Sequence, residues 1–117
     1  LKDAQPGESS AIMRERVMRA RKIQEQRFAE YNQTAKSPVH CNAQMTPKLV
    51  REYCLLDAQG DKLLSYAMDK MGLSARAYDR ILKVARTIAD LDNSTNILVK
   101  HISEAISYRS LDREDWI

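Results

Sequence analysis

The chain has 117 residues and a formal net charge of +3, from 19 basic and 16 acidic residues. This length is enough for one domain with a modest core. With one Phe and one Trp, that core is expected to be aliphatic, which suits packed helices. No apolar run approaches the roughly 20 residues of a membrane span, and no signal peptide is recognisable, so a cytoplasmic location is expected. Because the chain opens on Leu1, it is interpreted as a piece of a longer protein.

The positive charge is concentrated near the N-terminus. Six basic residues stand there against Glu15 and Glu25, and they are Arg14, Arg16, Arg19, Arg21, Lys22 and Arg27. Such a cluster is an electrostatic footprint suited to the phosphates of a nucleic acid. The ordinary alternative is a solvated helix face, and the cluster lacks the interleaved aromatic residues that would favour the first interpretation.

No complete catalytic site is recognisable. The three glycines are too dispersed to build a phosphate-binding loop, and no carboxylate pair or nucleophile motif occurs. Cys41 and Cys54 are expected to be free thiols, and neither has the paired spacing of a zinc site, so no metal site is expected. The chain alone is therefore not expected to be an enzyme.

The N-terminal third is predicted to be one helix and a long connection. The first eight residues should be loose, and Ser9 or Ser10 is predicted to cap a helix that ends near Glu30. Its apolar side is narrow, and consists of Met13, Val17, Ala20 and Phe28. The helix should therefore project from the domain or pack only in part. The segment from Tyr31 to Met45 shows no period, and a linker or partial disorder is expected there.

Two helices follow. Thr46 and Pro47 are a typical helix start, and this helix should run from Pro47 to Cys54. Asp57 is predicted to cap the next helix, which ends at Gly72 in the position that favours a left-handed residue. Gly60 lies near the start of that helix and should cost about 1 kcal/mol relative to alanine.

The helix predicted from about Ser74 to Leu91 has the clearest pattern. Its inward side contains Ala77, Ile81, Leu82, Ala85, Ile88 and Ala89, and its polar side contains Asp79, Arg80, Lys83, Arg86 and Asp90. Arg76 falls in the first turn, where the helix dipole disfavours a cation by up to about 1 kcal/mol. An anion shared between the guanidinium and the free amides would remove that conflict, although a solvated surface arginine is the commoner case.

After a turn at residues 92–94, Asn96 to Leu98 is predicted to be a short extended piece. A last helix should run from Val99 to about Arg109, and Leu111 to Ile117 should form a tail that includes Trp116. No segment alternates strongly enough for a sheet, so the fold class is all-α, with a small helical bundle preceded by one long basic helix.

Four stretches, in this order, give the chain a resemblance to a known family. They are Gly7-Glu8-Ser9-Ser10 with its arginine-rich helix, Asn42-Ala43-Gln44-Met45-Thr46-Pro47, residues 73–91, and Tyr108-Arg109-Ser110-Leu111-Asp112-Arg113. They look like the C-terminal domain of the magnesium-chelatase-like AAA+ ATPases, in particular the competence-associated ComM/YifB branch. In proteins of this type, a Ser-x-Arg at the start of a lid helix supplies the sensor-2 arginine, and that motif falls on Ser74-Ala75-Arg76.

The resemblance implies that the chain is the C-terminal part of a longer ATPase with several domains. Residues 1–45 would be the basic helix and loop that leave the α/β domain, 46–112 the helical lid, and 113–117 a tail. ATP and Mg²⁺ would be bound in the full-length protein, at a site built upstream to which Ser74 and Arg76 contribute, and no cofactor is expected in this fragment. The implied partners are the upstream AAA+ α/β domain, further copies in a ring, and DNA, with no membrane.

Two other interpretations remain open. The chain could be a stand-alone nucleic-acid-binding module that uses the basic helix between Arg14 and Arg27. It could instead be the lid of a true magnesium chelatase subunit, which inserts metal into a porphyrin. A Walker A motif upstream would show that the parent is an ATPase.

Overall fold

A computed structural model of the protein describes residues 6–115, with side chains for residues 10–108. Five α-helices and one short 3₁₀ helix make up this part of the chain. The α-helices are α1 (Pro6–Thr34), α2 (Pro47–Tyr53), α3 (Ala58–Met71), α4 (Ala75–Leu91) and α5 (Val99–Asp115), and the 3₁₀ helix is Asn42–Gln44. A single parallel bridge between Leu56 and Ile97 is the only extended pairing among the described residues. The predicted all-α class is confirmed.

Three helix starts are fixed by the predicted caps. The Thr46 hydroxyl accepts a hydrogen bond from the Leu49 amide at 3.3 Å. A carboxylate oxygen of Asp57 accepts from the amide of Gly60 at 2.7 Å. The Ser74 hydroxyl accepts from the Ala77 amide at 3.3 Å. Each bond satisfies an amide that the helix itself cannot pair, so these boundaries follow from local sequence.

The outer ends of the first and last helices differ from the prediction. Helix α1 already begins at Pro6, so Ser9 and Ser10 lie inside it rather than capping it. Proline is well suited to a first helical position, because its missing amide hydrogen is not needed there. Helix α5 extends to Asp115, so most of the predicted tail is helical. No glycine or proline interrupts that stretch. Trp116 lies outside the described residues.

Helix α4 is the centre of the bundle, and α1, α2, α5 and the 3₁₀ helix all pack against it. The core includes Leu64 of α3, Ile81 and Ala85 of α4, and Ile102 of α5, all at most 1% exposed. Gly60 has a role at the contact between α3 and α5, because a Cβ there would lie 2.8 Å from Cδ1 of Ile102. A larger residue at position 60 would therefore require the buried Ile102 side chain to shift.

Helix α1 packs only in part, as predicted. Ala20 and Phe28 are 3% and 0% exposed, whereas Met13, on the same side of the helix, is 58% exposed. Among the side chains of α1 that the structure describes, those from Ala20 onwards contribute to the core.

The connection after α1 is packed into the protein. Residues 31–34 still belong to α1, and Val39 and Met45 are 3% and 2% exposed. The Asn32 side chain holds the connection, since its amide donates to the carbonyl of Val39 and its oxygen accepts from the Val39 amide, both at 2.8 Å. The core thus draws on residues from both sides of position 46, and the predicted boundary there stays a prediction.

Candidate functional site at the start of α4

Arg76 occupies the second position of α4, and its side chain is exposed. Ser74 is used as the N-cap and pairs the amide of Ala77. The first amides of the helix, those of Ala75 and Arg76, precede the first intrahelical bond, which Tyr78 donates to the Ser74 carbonyl at 3.0 Å. The positive end of the helix and a guanidinium therefore lie together at the surface.

A shallow groove of about 660 Å³ runs along α4 from this point, lined by Ala43, Pro47, Arg76, Asp79, Arg80, Lys83 and Val84. Three cationic side chains and one carboxylate contribute to it. Lys83 is anchored, since its ammonium group donates to the Ala43 carbonyl at 3.3 Å. Arg76 has no hydrogen-bond or ion-pair partner among the described residues. The groove therefore has an excess of positive charge, and Arg76 is available to an anion.

The six basic residues of α1 do not form one free surface. Arg27 is only 11% exposed and pairs with Asp90. Nε of Arg16 and Nη2 of Arg19 each donate to the Leu91 carbonyl at 3.4 Å. Cations at this position complement the negative end of α4 and one of its unpaired carbonyls. Three side chains of the six remain exposed without such bonds in the described part of the chain, namely Arg14, Arg21 and Lys22.

Asp90 is the centre of a buried polar cluster. Its carboxylate is 1% exposed and accepts from Arg27 at 2.7 and 2.8 Å and from Nδ2 of the Asn42 side chain at 2.9 Å. Nη2 of Arg86 lies 3.3 Å away, and the same guanidinium donates to the carbonyls of Ser94 and Thr95. Burial is the main cause that lowers the Arg86 pKa, and Asp90 opposes it.

Arg86 and Asp90, which were predicted to lie on the polar side of α4 and not on its inward side, are therefore buried, at 5% and 1% exposed. Helical spacing identifies them as non-apolar positions, but α1 and the 3₁₀ helix cover that side of the helix. The only sequence signal for the cluster was Asn42, at the start of one of the family-like stretches. Asn42 is 0% exposed, and its side chain connects Arg27 with Asp90.

A second polar cluster, formed by Asp92, Lys100 and His101, lies at the C-terminal end of α4. His101 is 2% exposed, and its Nδ1 accepts from the Leu98 amide at 2.9 Å, so Nε2 donates to Asp92 at 2.9 Å. Lys100 lies 3.1 Å from the same carboxylate. Since both ring nitrogens are engaged, His101 is a positioning residue for the α4–α5 turn rather than a base.

The thiols and acidic groups do not form a metal site in the described part. Cys54 is buried, Cys41 is half-buried, and both are free. No group of three histidine, cysteine or carboxylate side chains converges among the described residues. Likewise, no helix found there is long and apolar enough to cross a bilayer.

The structure is an all-α bundle, and Arg76, at the start of its central helix, is exposed and has no partner among the described residues. The family model described as "Magnesium chelatase, subunit ChlI C-terminal" matches residues 7–109. The chain belongs to this magnesium chelatase C-terminal family, and the sequence-based resemblance is confirmed.

Curated relatives agree with this assignment. The chain is 43% identical over 108 residues to the uncharacterized protein YifB of Escherichia coli, covering 92% of the chain and 19% of YifB. It is 40% identical over 107 residues to the competence protein ComM of Haemophilus influenzae, with the same coverage of 92% and 19%. An uncharacterized protein of Mycobacterium tuberculosis, Rv2897c, is 31% identical over 106 residues, covering 91% of the chain and 20% of that protein. The chain thus spans about a fifth of the length of these relatives, and it matches the C-terminal part of YifB and ComM.

Proposed function

We propose that the chain is the helical lid of a magnesium-chelatase-like AAA+ ATPase, and that Arg76 is its sensor-2 arginine. The observation that carries this proposal is the exposed guanidinium of Arg76, unpaired among the described residues, at the positive end of α4. The Ser-x-Arg motif falls on this position. No side chain in the described part of the domain pairs with it, so it is available to a phosphate presented by another domain.

The residues at this end of α4 fit the γ-phosphate of ATP. A guanidinium donates two parallel hydrogen bonds to phosphate oxygens, and the first amides of a helix add further donors. Arg76 would neutralise charge that develops on the transferred phosphoryl group. The phosphate loop and the Mg²⁺ ligands would come from the upstream α/β domain, since no phosphate-binding loop motif occurs in this chain.

The bundle would convert a contact at Arg76 into movement of the whole domain. Helix α4 has 17 residues, and its far end is joined to α1 through Asp90 and through the Leu91 carbonyl. A shift of the α4 N-terminus towards a nucleotide would therefore carry α1 with it. In a ring of such subunits, this movement would couple ATP hydrolysis to work on a substrate.

DNA is the substrate that we propose for the full-length protein. One relative is named a competence protein, and three exposed cations on α1 are compatible with phosphate contacts. A stand-alone nucleic-acid-binding module is less well supported, because Arg16, Arg19 and Arg27 are already engaged within the domain. The other alternative is the lid of a true magnesium chelatase subunit, which inserts metal into a porphyrin. The family match covers both this kind of protein and the ComM/YifB branch.

The experiment is ATP hydrolysis by the full-length protein with Arg76→Ala. Hydrolysis should fall at least about tenfold, as for loss of a donor to a transition-state charge, while circular dichroism and the melting temperature stay as in the wild type. The 117-residue chain alone should bind ATP only weakly. Wild-type hydrolysis by Arg76→Ala would refute the proposed role, and micromolar ATP affinity of the isolated chain would point to a different nucleotide site.

A further inference from the structure

The N-terminal half of α1 exposes apolar side chains that the bundle does not cover. Ile12, Met13, Val17 and Met18 are 52%, 58%, 37% and 62% exposed. Met13 and Val17 continue the helix side that carries Ala20 and Phe28 into the core, as their spacing at intervals of three, four and eight residues requires. We call residues 12–18 the α1 overhang.

A groove opens beside the overhang, between α1 and the outer sides of α4 and α5. It has a volume of about 500 Å³ and is lined by Arg16, Ala43, Lys83, Val84, Thr87, Ile88, Leu91, Asp92, Lys100, His101, Glu104 and Tyr108. Val84 and Tyr108 are 38% and 49% exposed. Arg16 belongs both to the overhang and to the groove wall, so the two features form one continuous surface. We call this second feature the α4–α5 groove.

The chemistry of this surface fits a protein better than a nucleic acid. Four of the seven overhang side chains are apolar, and phosphates would leave them in water. Arg16, which stands where the overhang meets the groove, already donates to the Leu91 carbonyl. The complementary occupant therefore has apolar side chains flanked by carboxylates, which would meet Arg14 and Lys83 at the rim.

The relatives indicate where that occupant comes from. About four-fifths of YifB and of ComM lie outside the matched segment, which is C-terminal in both proteins. In such a polypeptide, the preceding part is covalently connected through the N-terminal end of α1, which is the end that bears the uncovered apolar side chains. Covalent connection gives this segment a high effective concentration at the overhang, so it needs little intrinsic affinity.

We propose that the α1 overhang and the α4–α5 groove are the docking surface for the preceding part of the same, longer polypeptide. This inference rests on the proposed function only in placing the chain within a longer protein. It assigns the surface of the lid that the preceding part contacts, and this surface adjoins the groove at Arg76, with which it shares Ala43, Lys83 and Val84. The contact between this surface and the preceding part fixes the orientation of α1 relative to that part. Because Asp90 joins α4 to α1, it also fixes the orientation of α4.

The test is cysteine labelling in the full-length protein. Met13→Cys and Val84→Cys place a thiol on each part of the surface, and Tyr66→Cys is the matched control, because Tyr66 is 62% exposed on α3 and does not line the groove. Maleimide labelling at the first two positions should be about tenfold or more slower in the full-length protein than in the 117-residue chain. Labelling at Tyr66→Cys should be equal in the two proteins. Hydrogen exchange of the unsubstituted proteins should show the same difference for the amides of residues 12–18.

Three results would overturn the proposal. Equal labelling in the two proteins would show that nothing covers the surface. Protection that needs added DNA would make a nucleic acid the occupant. Protection that rises with protein concentration, in the 117-residue chain as well, would make a second copy the occupant. Since labelling is measured without nucleotide, its outcome is independent of whether Arg76→Ala changes ATP hydrolysis.

Discussion

Arg27 and Asp90 are 63 residues apart in sequence, and they form a two-point ion pair with N···O distances of 2.7 and 2.8 Å. This bidentate salt bridge joins the basic helix α1 to the central helix α4. Asp90 is 1% exposed and Arg27 is 11% exposed, so water solvates neither charge well. Each charge is therefore stabilised mainly by its partner. Together with the buried Phe28 and the contacts of Arg16 and Arg19 with the Leu91 carbonyl, the pair holds the arginine-rich helix on the bundle.

Removing the Asp90 carboxylate should strongly destabilise the domain. Asp90→Ala leaves the guanidiniums of Arg27 and Arg86 without their shared counter-ion in a largely buried site. We expect a loss of about 3–5 kcal/mol in the free energy of unfolding, measured by urea denaturation. Asp69→Ala, at an exposed position of α3, is the control and should stay within about 0.5 kcal/mol of the wild type. A small effect of Asp90→Ala would mean that water solvates the two arginines.

The turn after α4 should give the domain an acid-sensitive component of stability. Hydrogen bonds from His101 and Lys100 lower the pKa of Asp92 below its ordinary value of 3.8. A lowered folded-state pKa contributes stability that is fully present above the ordinary value and is lost as the pH falls through the folded-state value. The wild type should therefore exceed Asp92→Asn in melting temperature at pH 6, and this difference should shrink towards pH 3. A difference that does not change with pH would contradict the assignment.

The two cysteines should react very differently. Burial raises the pKa of Cys54 to about 11, from an ordinary value of 9.0, whereas Cys41 is partly exposed. At pH 8 a thiol reagent should modify Cys41 in the native protein and Cys54 only after unfolding. The raised pKa also means that stability is full below 9.0 and is lost as the pH rises through about 11. Fast modification of Cys54 in a Cys41→Ser variant at pH 8 would show that the core opens at this point.

Local signals in the sequence were enough for the starts of α2, α3 and α4 and for the central amphipathic helix, but not for the start of α1. Thr46, Asp57 and Ser74 each pair an amide three residues later, so their role depends on neighbours only. Arg86 and Asp90 could not be assigned in this way, because periodicity distinguishes apolar from polar positions and not covered from solvated ones. Their burial is determined by Arg27 and Asn42, which lie far away in sequence. Arg76 is a local feature, and its position was correctly predicted from the cap that precedes it.

DNA binding by the 117-residue chain should be weak, independent of sequence and sensitive to salt. With Arg16, Arg19 and Arg27 engaged, about three cations of α1 remain for phosphate contacts. A plot of the logarithm of affinity against the logarithm of salt concentration should therefore have a slope of about −3. The triple change of Arg14, Arg21 and Lys22 to glutamine should abolish binding in fluorescence anisotropy titrations. Lys62→Gln on α3 should leave it unchanged. Sequence-selective binding at physiological salt would favour a stand-alone DNA-binding module.

The last prediction separates the shape of the Arg76 side chain from its charge. In the full-length protein, Arg76→Lys should recover only part of the ATP hydrolysis lost in Arg76→Ala, because an ammonium group cannot reproduce the planar, two-point contact of a guanidinium with a phosphate. Neither change should alter the free energy of unfolding by more than about 1 kcal/mol, since a first-turn cation contributes little to helix stability. Arg80 lies one turn further along the same groove and is the neighbouring control, so Arg80→Ala should reduce hydrolysis less than Arg76→Ala. Full activity of Arg76→Lys would reduce the role of Arg76 to its charge alone. A larger loss in Arg80→Ala would move the nucleotide contact to Arg80.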